Sequence, residues 1–443
     1  MRHPIVLCPL LLLVIFFALA LPTPVFAQED SLSDLADLSI EELGQIEVIV
    51  VSGVSKRSET LTEAPGVVSV LKAEDIKQLG VNSVAEAVAF MPGVFMYDTY
   101  FSSFTQFAVR GNFGSEHYNN KILFLVNGHP VYNPVHGGFD VNSVPIQAVD
   151  RIELVRGPVS VMYGTNALTG VINIITKKGL AEDETAALTY QYGTWNTNEM
   201  RLELQHELQD VHFYLAGTLS EQDGYELKVD QQQDEFGEGL ERSFYHDLQA
   251  YFLNVSYDNI ELDIGHWHQK NPFKIGLIAD SRVYGDEHRH DYWYADLRLT
   301  QPIRENISLN YTLRYDVWDF GYRVLGLDQV QPAEDAESDA DISVDSQKYG
   351  AEVYANIQLG DKTDIVAGVM YDEYEAGEYL YPRQASHLGV AFSPWPDQQR
   401  TSDLALYCDL AHQLRDNIYL VGGLRFTDNS VTGNHFDYRL ASI

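Results

Sequence analysis

The chain has 443 residues and a formal net charge of −35 at pH 7, because 64 acidic side chains outnumber 29 lysines and arginines. Such acidity argues against a surface that binds nucleic-acid phosphates, and it also argues against the basic stripe of a peripheral membrane binder. The excess lies mainly in residues 180–443, which carry 47 acidic and 18 basic side chains.

Residues 1–27 have the pattern of a secretory signal peptide. A basic start precedes an apolar run at 5–20, and residues 25–27 match the small-residue cleavage site. The run is shorter than the roughly 20 residues that a membrane-spanning helix needs. We therefore expect export and cleavage before Gln28, which leaves Cys408 as the one cysteine and excludes a disulfide framework.

Two segments of different character follow. Residues 28–46 are acidic and polar, and we expect them to form a periplasmic tether. Residues 47–179 combine an apolar strand pattern at 122–126 with helical patterns at 73–79 and 83–90, punctuated by glycines. This mixture predicts an α+β domain.

Residues 180–443 alternate between apolar and polar side chains, which is typical of strands with one apolar and one polar face. The segment 307–316 is an example, with apolar residues at every odd position and polar residues at every even one. We predict about eleven such strands, beginning near residues 186, 199, 211, 247, 260, 292, 306, 348, 363, 403 and 417.

The predicted connections fall into two length classes. Short polar turns lie near 209–210, 258–259, 304–306, 360–362 and 415–416, and long loops lie near 221–245, 270–290, 317–346 and 373–401. Short turns at one end and long loops at the other are typical of a transmembrane β-barrel. A soluble β-sandwich also alternates, because one face must be buried, but it has no reason to sort its loops by length.

Residues 47–179 also contain short motifs in a fixed order. They lie at 47–51, 64–70, 74–76, 91–94, 109–111, 125–128, 151–158, 163–164 and 170–176. The ordered set, with this spacing, resembles the plug domain of TonB-dependent outer-membrane receptors. Residues 37–43 add a weaker resemblance to the vitamin- and siderophore-receptor branch of that family.

The resemblance implies a fold and a set of functional residues. The fold is an α+β plug domain (47–179) followed by an antiparallel transmembrane β-barrel (180–443). Glu47, Val48, Ile49, Val50 and Val51 stand for the TonB box, which binds the inner-membrane energy-coupling protein TonB by strand addition. Arg110, Glu153 and Arg156 stand for charges that latch the plug to the barrel wall. By position, the residues expected to bind the nutrient are Tyr97, Tyr100, Phe101, Phe104, His117, Tyr118 and His136.

The family's barrel has 22 strands and is filled by the plug. Eleven strands are half of that number, and the last residues lack the family's terminal aromatic residue. A C-terminally truncated receptor is therefore our expectation, located in the outer membrane in contact with its lipid.

The predicted function is energised uptake of a nutrient such as an iron–siderophore complex or cobalamin, and other functions fit the sequence less well. We find no enzyme motif and predict no cofactor and no metal site, since the pairs His266/His268 and His288/His290 read more simply as ordinary strand and loop histidines. A passive porin would lack the plug. The remaining alternative is a secreted or surface β-rich protein that binds carbohydrate or mediates adhesion without transport.

Overall fold

The computed structural model describes residues 50–51, 56, 59–60, 66–97, 105–112, 119–134, 137–157, 159–178, 185–224, 226–233, 239–243, 246–271, 287–325, 339–377, 399–415 and 418–442. All of them belong to one compact unit, Ile49–Ile443. The predicted signal peptide and tether lie outside the described residues. Within the described part of the chain, no helix is long and apolar enough to span a membrane.

The first part of the chain forms a small α+β domain, here called the plug. Its strands are β1 (Val50–Val51), β2 (Glu59–Thr60), β3 (Val67–Lys72), β4 (Val94–Tyr97), β5 (Gln106–Val109), β6 (Ile122–Val126), β7 (His129–Val131), β8 (Val149–Arg156) and β9 (Gly170–Thr176). Its helices are α1 (Ala73–Leu79), α2 (Val84–Ala89) and α3 (Ser160–Tyr163), with 3-10 turns at Val141–Ser143 and Ile146–Ala148.

A five-stranded sheet in the order β3-β8-β9-β6-β7 organises the plug. The β6–β9 pair is parallel, and every residue of both strands is buried, which explains why their sequences are mainly apolar. The two predicted helices are confirmed. The side chain of Ser83 caps α2 by accepting from the Glu86 backbone N–H at 3.3 Å, and Gly80 ends α1 with a left-handed φ of 67°.

The second part of the chain forms one antiparallel sheet of twelve strands. These are β10 (Thr185–Gly193), β11 (Thr197–Leu208), β12 (Val211–Gln222), β15 (His246–Tyr257), β16 (Ile260–Asn271), β17 (Glu287–Arg304), β18 (Ile307–Leu325), β19 (Asp339–Leu359), β20 (Thr363–Ala376), β21 (Gln399–Arg415), β22 (Ile418–Asn429) and β23 (Gly433–Ser442). A separate hairpin, β13 (Glu226–Gln233) and β14 (Gly239–Ser243), lies between β12 and β15 in the sequence.

The sheet has one strand more than the eleven that the sequence predicts. The additional strand is β23, which only three residues separate from β22 and whose apolar alternation is short, from Phe436 through Tyr438 to Leu440. Strands β10 and β23 form the two edges of the sheet. The strand count is therefore even, and in the described residues the sheet is open, because β10 and β23 do not pair with each other.

The faces of the sheet are reversed relative to those of a soluble protein. On β18, Leu313 and Tyr315 are 58% and 41% exposed, whereas Arg314 between them is 7% exposed and packs toward the plug. The same alternation places apolar residues such as Leu297, Val353 and Leu406 on the outer face. Apolar side chains outward and polar side chains inward are the pattern of a transmembrane barrel, and a soluble sandwich has the opposite one.

The connections confirm the sorting by length, with differences. At one end, here called the short-turn end, the gaps between strands are 209–210, 258–259, 305–306, 360–362 and 416–417. At the other, the long-loop end, 272–286, 326–338 and 377–398 are long, but 194–196 and 430–432 are short. Strands also run further into this end than predicted: β18 reaches Leu325 and β19 begins at Asp339, because backbone pairing continues where apolar alternation has ended.

The reversed faces predict the effect of a charge on the outer surface. Leu313→Arg should destabilise the assembled sheet by about 2–4 kcal/mol in a bilayer, whereas Leu359→Arg, at a strand end, should cost about 0–1 kcal/mol. Both side chains are more than half exposed, so a water-facing sheet would tolerate both. Urea titration of heat-modifiable electrophoretic mobility measures the difference, and equal tolerance of both variants would contradict membrane placement.

Candidate functional site at the plug–sheet interface

The plug is held against the inner face of the sheet by ion pairs with a consistent polarity. Lys177 lies 2.9 Å from Glu203, and Lys178 lies 2.6 Å from Glu261. Among the described residues, every ion pair between plug and sheet places the cation on the plug and the carboxylate on the sheet. The strong acidity of residues 180–443 is thus used, in part, to hold the plug. We call this set of contacts the plug seat.

The deepest of these contacts belongs to His129 on β7. Its ring Nδ1 lies 3.1 Å from Asp296 and its Nε2 lies 2.8 Å from Asp316, and its ring stacks on Tyr294 at 4.6 Å. Burial by itself lowers the pKa of His129, but the two carboxylates outweigh it, so the pKa lies above its usual value of 6.5. The residue is fully buried, and its partners belong to two adjacent strands of the sheet.

Asn127 adds a hydrogen-bonded contact beside His129. Its side-chain amide donates to Thr176 Oγ1 at 2.8 Å and to Asp263 at 3.2 Å, and its carbonyl oxygen accepts from the Thr176 backbone N–H at 2.8 Å. Arg298 of the sheet donates to the Asn127 backbone oxygen and also pairs with Asp263. Through its side chain and its backbone oxygen, Asn127 therefore links the plug sheet to two strands of the large sheet, β16 and β17.

Lys56 forms a third anchor, close to the N-terminal strand β1. Its ammonium pairs with Glu352, which also accepts from Arg314. Three tyrosine rings surround the ammonium, with centroids at 4.9, 5.3 and 5.8 Å: Tyr407, Tyr163 and Tyr354. Burial lowers the pKa of Lys56, and Glu352 opposes that shift.

Apolar packing completes the seat on the side of β15, β16 and β17. Phe139 of the plug packs on Trp267 with ring centroids 5.3 Å apart, and Trp267 in turn stacks on Phe252. At the short-turn end, a cavity of about 730 Å³ remains between plug and wall. Its lining includes Lys56, Asn127 and Lys178, so the anchors of the seat border an open space.

The contacts described for Glu153 and Arg156 of the predicted latch lie within the plug, and the latch stays a prediction. Side chains on a strand alternate, so Glu153 and Arg156, three apart on β8, point to opposite faces of the sheet, while Arg151 shares the face of Glu153. Accordingly, Arg151 pairs with Glu153 at 2.9 Å, and Arg156 donates to the Pro92 oxygen at 2.7 Å and to Ser69 at 2.6 Å. Arg110 is exposed in a turn with a φ of 56°.

The two described residues of the predicted TonB box form a strand. Val50 and Val51 form β1 and pair with Thr60 and Glu59 of β2, whereas Glu47, Val48 and Ile49 lie outside the described residues. Two paired residues make a small sheet. Lys56 follows Val51 by five positions, so the box lies close in sequence to an anchor of the seat.

Of the predicted ligand-binding residues, the structure describes Tyr97. It ends β4, lies opposite Gln106 of β5 and stacks with Phe95 at 6.3 Å. The others lie outside the described residues: Tyr100, Phe101, Phe104, His117, Tyr118 and His136.

Asn119 is a residue whose role the sequence analysis missed. It is buried, and its side chain bonds to three backbone groups: the Phe107 N–H at 2.9 Å, the Thr105 oxygen at 2.9 Å and the Phe139 oxygen at 3.4 Å. These groups flank the segments 98–104, 113–118 and 135–136, which carry the predicted ligand residues. Thr105 also lines a cavity of about 430 Å³ with Thr197 and Gln222 from the long-loop end. Asn119 thus fixes the bases of the expected binding loops.

Asn119→Ala should leave the buried Phe107 N–H without its acceptor and cost about 1–3 kcal/mol locally. We expect weaker ligand binding with the sheet intact, measured by equilibrium binding and by heat-modifiable mobility. Asn306→Ala is the matched control, because its amide donates to the Gln358 oxygen on an exposed turn. Unchanged affinity in Asn119→Ala would show that the three segments do not bind the ligand.

The plug matches a known family. Residues 60–171 match the family described as the TonB-dependent receptor plug domain. The chain is 31% identical to the vitamin B12 transporter BtuB of Photobacterium profundum over 166 residues, covering 38% of this chain and 24% of that protein. It is 38% identical to the ferric enterobactin receptor PirA of Pseudomonas aeruginosa over 167 residues, covering 34% of this chain and 21% of that protein.

Solved structures extend the similarity into the sheet. A mutant of the ferric enterobactin receptor PfeA from Pseudomonas aeruginosa, in complex with enterobactin, superposes with a TM-score of 0.64 at 19% identity, covering 86% of this chain and 60% of that one. The siderophore receptor PirA from Acinetobacter baumannii gives a TM-score of 0.63 at 18% identity, covering 85% and 58%. The chain spans 60% or less of each of these four proteins. The chain thus carries a TonB-dependent receptor plug domain at residues 60–171, and its plug and sheet share the fold of these siderophore receptors.

Proposed function

We propose that this protein acts in the outer membrane as a TonB-dependent receptor that imports a scarce nutrient. The observation that carries the proposal is a plug held by ion pairs inside a sheet whose outer face is apolar. In such a protein the plug closes the passage through the barrel at rest, so transport requires movement of the plug.

The relatives suggest the class of nutrient. The similar proteins are named as receptors or transporters for vitamin B12 and for ferric enterobactin. We propose a bulky ligand of this kind, an iron–siderophore complex or a corrinoid, bound at the long-loop end. The position of Tyr97 and of the Asn119-fixed loop bases supports that end, since Thr105 borders the cavity with Thr197 of the sheet.

Energy has to reach the plug by mechanical contact, because the outer membrane carries no ion gradient. We propose that TonB adds a strand to residues 47–51 from the periplasm. The β1–β2 pairing of two residues is short, so exchanging it for a longer intermolecular ladder is a small rearrangement. Signal-peptide export and a tether at 28–46 would place the box in that compartment.

Lys56 is the first plug–sheet contact that a pulling force on residues 47–51 would reach. It follows Val51 by five residues, and its ammonium is buried between Glu352 and three tyrosine rings. Traction on the box should withdraw Lys56 from the wall and leave Glu352 with Arg314. Breaking one partner of a buried pair typically costs about 3–5 kcal/mol, so this contact resists small forces.

The alternative of a secreted carbohydrate-binding or adhesive protein has less support. It requires an outer face that tolerates water, but large apolar side chains such as Leu313, Leu406 and Tyr438 cover the sheet. A passive porin has no use for a plug seated by buried ion pairs. We therefore retain uptake as the proposed function.

Val50→Pro tests the coupling step. Proline removes the backbone donor and fixes φ, so the variant should lose strand pairing with TonB while ligand binding at the surface persists. The expected result in cells is saturable surface binding with import reduced to the level of a TonB-deficient strain. Val50→Ala, which keeps the donor, should import nearly as well as the natural sequence.

Two outcomes would count against this assignment. If binding and plug folding fail together in Val50→Pro, residues 47–51 are structural plug. If import continues in Val50→Pro, the box lies elsewhere.

A further inference from the structure

The contact between His129 and two carboxylates bears on the protonation state of the imidazole ring. Both ring nitrogens of His129 face an oxygen of a buried carboxylate, Asp296 at 3.1 Å and Asp316 at 2.8 Å. The side chains of both aspartates are 2% exposed, and that of His129 is 1% exposed. Both nitrogens are shielded from bulk solvent, and the carboxylates are their hydrogen-bonding partners.

With both carboxylates ionised, counting donors gives the protonation of the imidazole. A neutral imidazole carries one N–H and one lone pair, and an ionised carboxylate only accepts. With one N–H, one of the two contacts would set a nitrogen lone pair against a carboxylate oxygen. Both contacts become hydrogen bonds when the ring carries a second proton and donates from Nδ1 and from Nε2.

The surroundings support a cation at this position. Tyr292, whose hydroxyl lies 3.4 Å from Nε2, donates to Asp316 and so favours the ionised form of that carboxylate, while the ring of Tyr294 stacks on the imidazole. The charged and titratable groups that face the cluster from β16, β17, β18, β19 and β20 are Asp263, Tyr292, Tyr294, Asp296, Arg298, Arg314, Asp316, Lys348, Glu352 and Asp372. The balance at the ring itself is negative, because its two direct partners are carboxylates.

We propose that the plug seat stores one proton on His129, between Asp296 and Asp316, and that movement of β7 away from the wall releases this proton to water. The charge state of His129 is independent of the proposed uptake. Only the identity of the force that moves the plug rests on that proposed function.

A proton held on His129 fixes the direction in which the stability of the seated plug changes with pH. The pKa of His129 is raised in the seated plug, so the stabilisation is fully present below about 6.5 and is lost as pH rises through the seated pKa. Within that window each pH unit should favour the displaced plug by up to tenfold, which corresponds to one proton released. If opening of the plug seat neither takes up nor releases a proton, the equilibrium constant for opening does not change with pH.

The other anchors provide a matched control. Lys178 also ties the plug to a sheet carboxylate, Glu261, and replacing it leaves His129, Asp296 and Asp316 in place. Lys178→Gln should therefore weaken the seat without changing its pH slope. His129→Gln should weaken the seat and abolish the slope, since glutamine retains a donor but does not titrate.

The experiment is pulse proteolysis of the plug in bilayer-embedded receptor, without TonB or ligand, from about pH 6 to about pH 9. We expect the equilibrium constant for plug opening to rise with pH in the natural sequence and in Lys178→Gln, and to stay flat in His129→Gln. A flat profile in the natural sequence, or an unchanged slope in His129→Gln, would overturn the proposal. If the natural sequence shows the expected pH profile but cells that carry it import no ligand, the uptake function is rejected and the stored proton is retained.

If His129→Gln fails to fold, a spectroscopic measurement on the natural sequence tests whether His129 holds the proton. Nitrogen NMR of the imidazole in the natural sequence distinguishes a doubly protonated ring from either neutral tautomer. Two protonated nitrogens on His129 at about pH 7.5, above the ordinary pKa of the group, are the expected result. A neutral ring at that pH contradicts the stored proton.

Discussion

The reversed faces of the sheet are the constraint on which the rest of the structure depends. Because apolar side chains such as Leu313 occupy the outer face, polar and charged side chains must point inward, where they lose water. A buried charge is tolerated when it is paired and hydrogen-bonded. The plug meets this requirement: it supplies His129, Lys56, Lys177 and Lys178 to carboxylates of the wall. Plug and sheet are therefore parts of one electrostatic arrangement.

That arrangement also explains how a buried domain can remain movable. An interface made of apolar side chains alone resists separation over its whole area, whereas ion pairs can be broken one after another and exchanged for water. The cavity of about 730 Å³ at the short-turn end lies beside Lys56 and Asn127, so water has space to follow the plug as it moves. Lys56 is the anchor nearest to β1 and His129 lies deeper, which suggests an order of release from the N-terminus inward.

The fold could be predicted from the sequence further than the site could. Period-two alternation located eleven strands because lipid and plug impose opposite polarity on the two faces, and it missed β23, where that signal is short. For the latch, a resemblance assigns residues without the direction of their side chains, and Glu153 and Arg156 lie on opposite faces of β8. Partners such as Asp316, 187 positions after His129, leave no local signal in the sequence. Asn119 was missed because its role is three backbone contacts.

A charge exchange between Lys177 and Glu203 tests most directly whether opposite charges hold the plug in the sheet. These side chains meet at 2.9 and 3.1 Å, and each is partly accessible, so reversal is tolerable for folding. Plug protease resistance should fall in Lys177→Glu and in Glu203→Lys and return toward the natural level in the double variant. Additive losses in the double variant would mean that the pair does not contribute to the seat, and would contradict the electrostatic account.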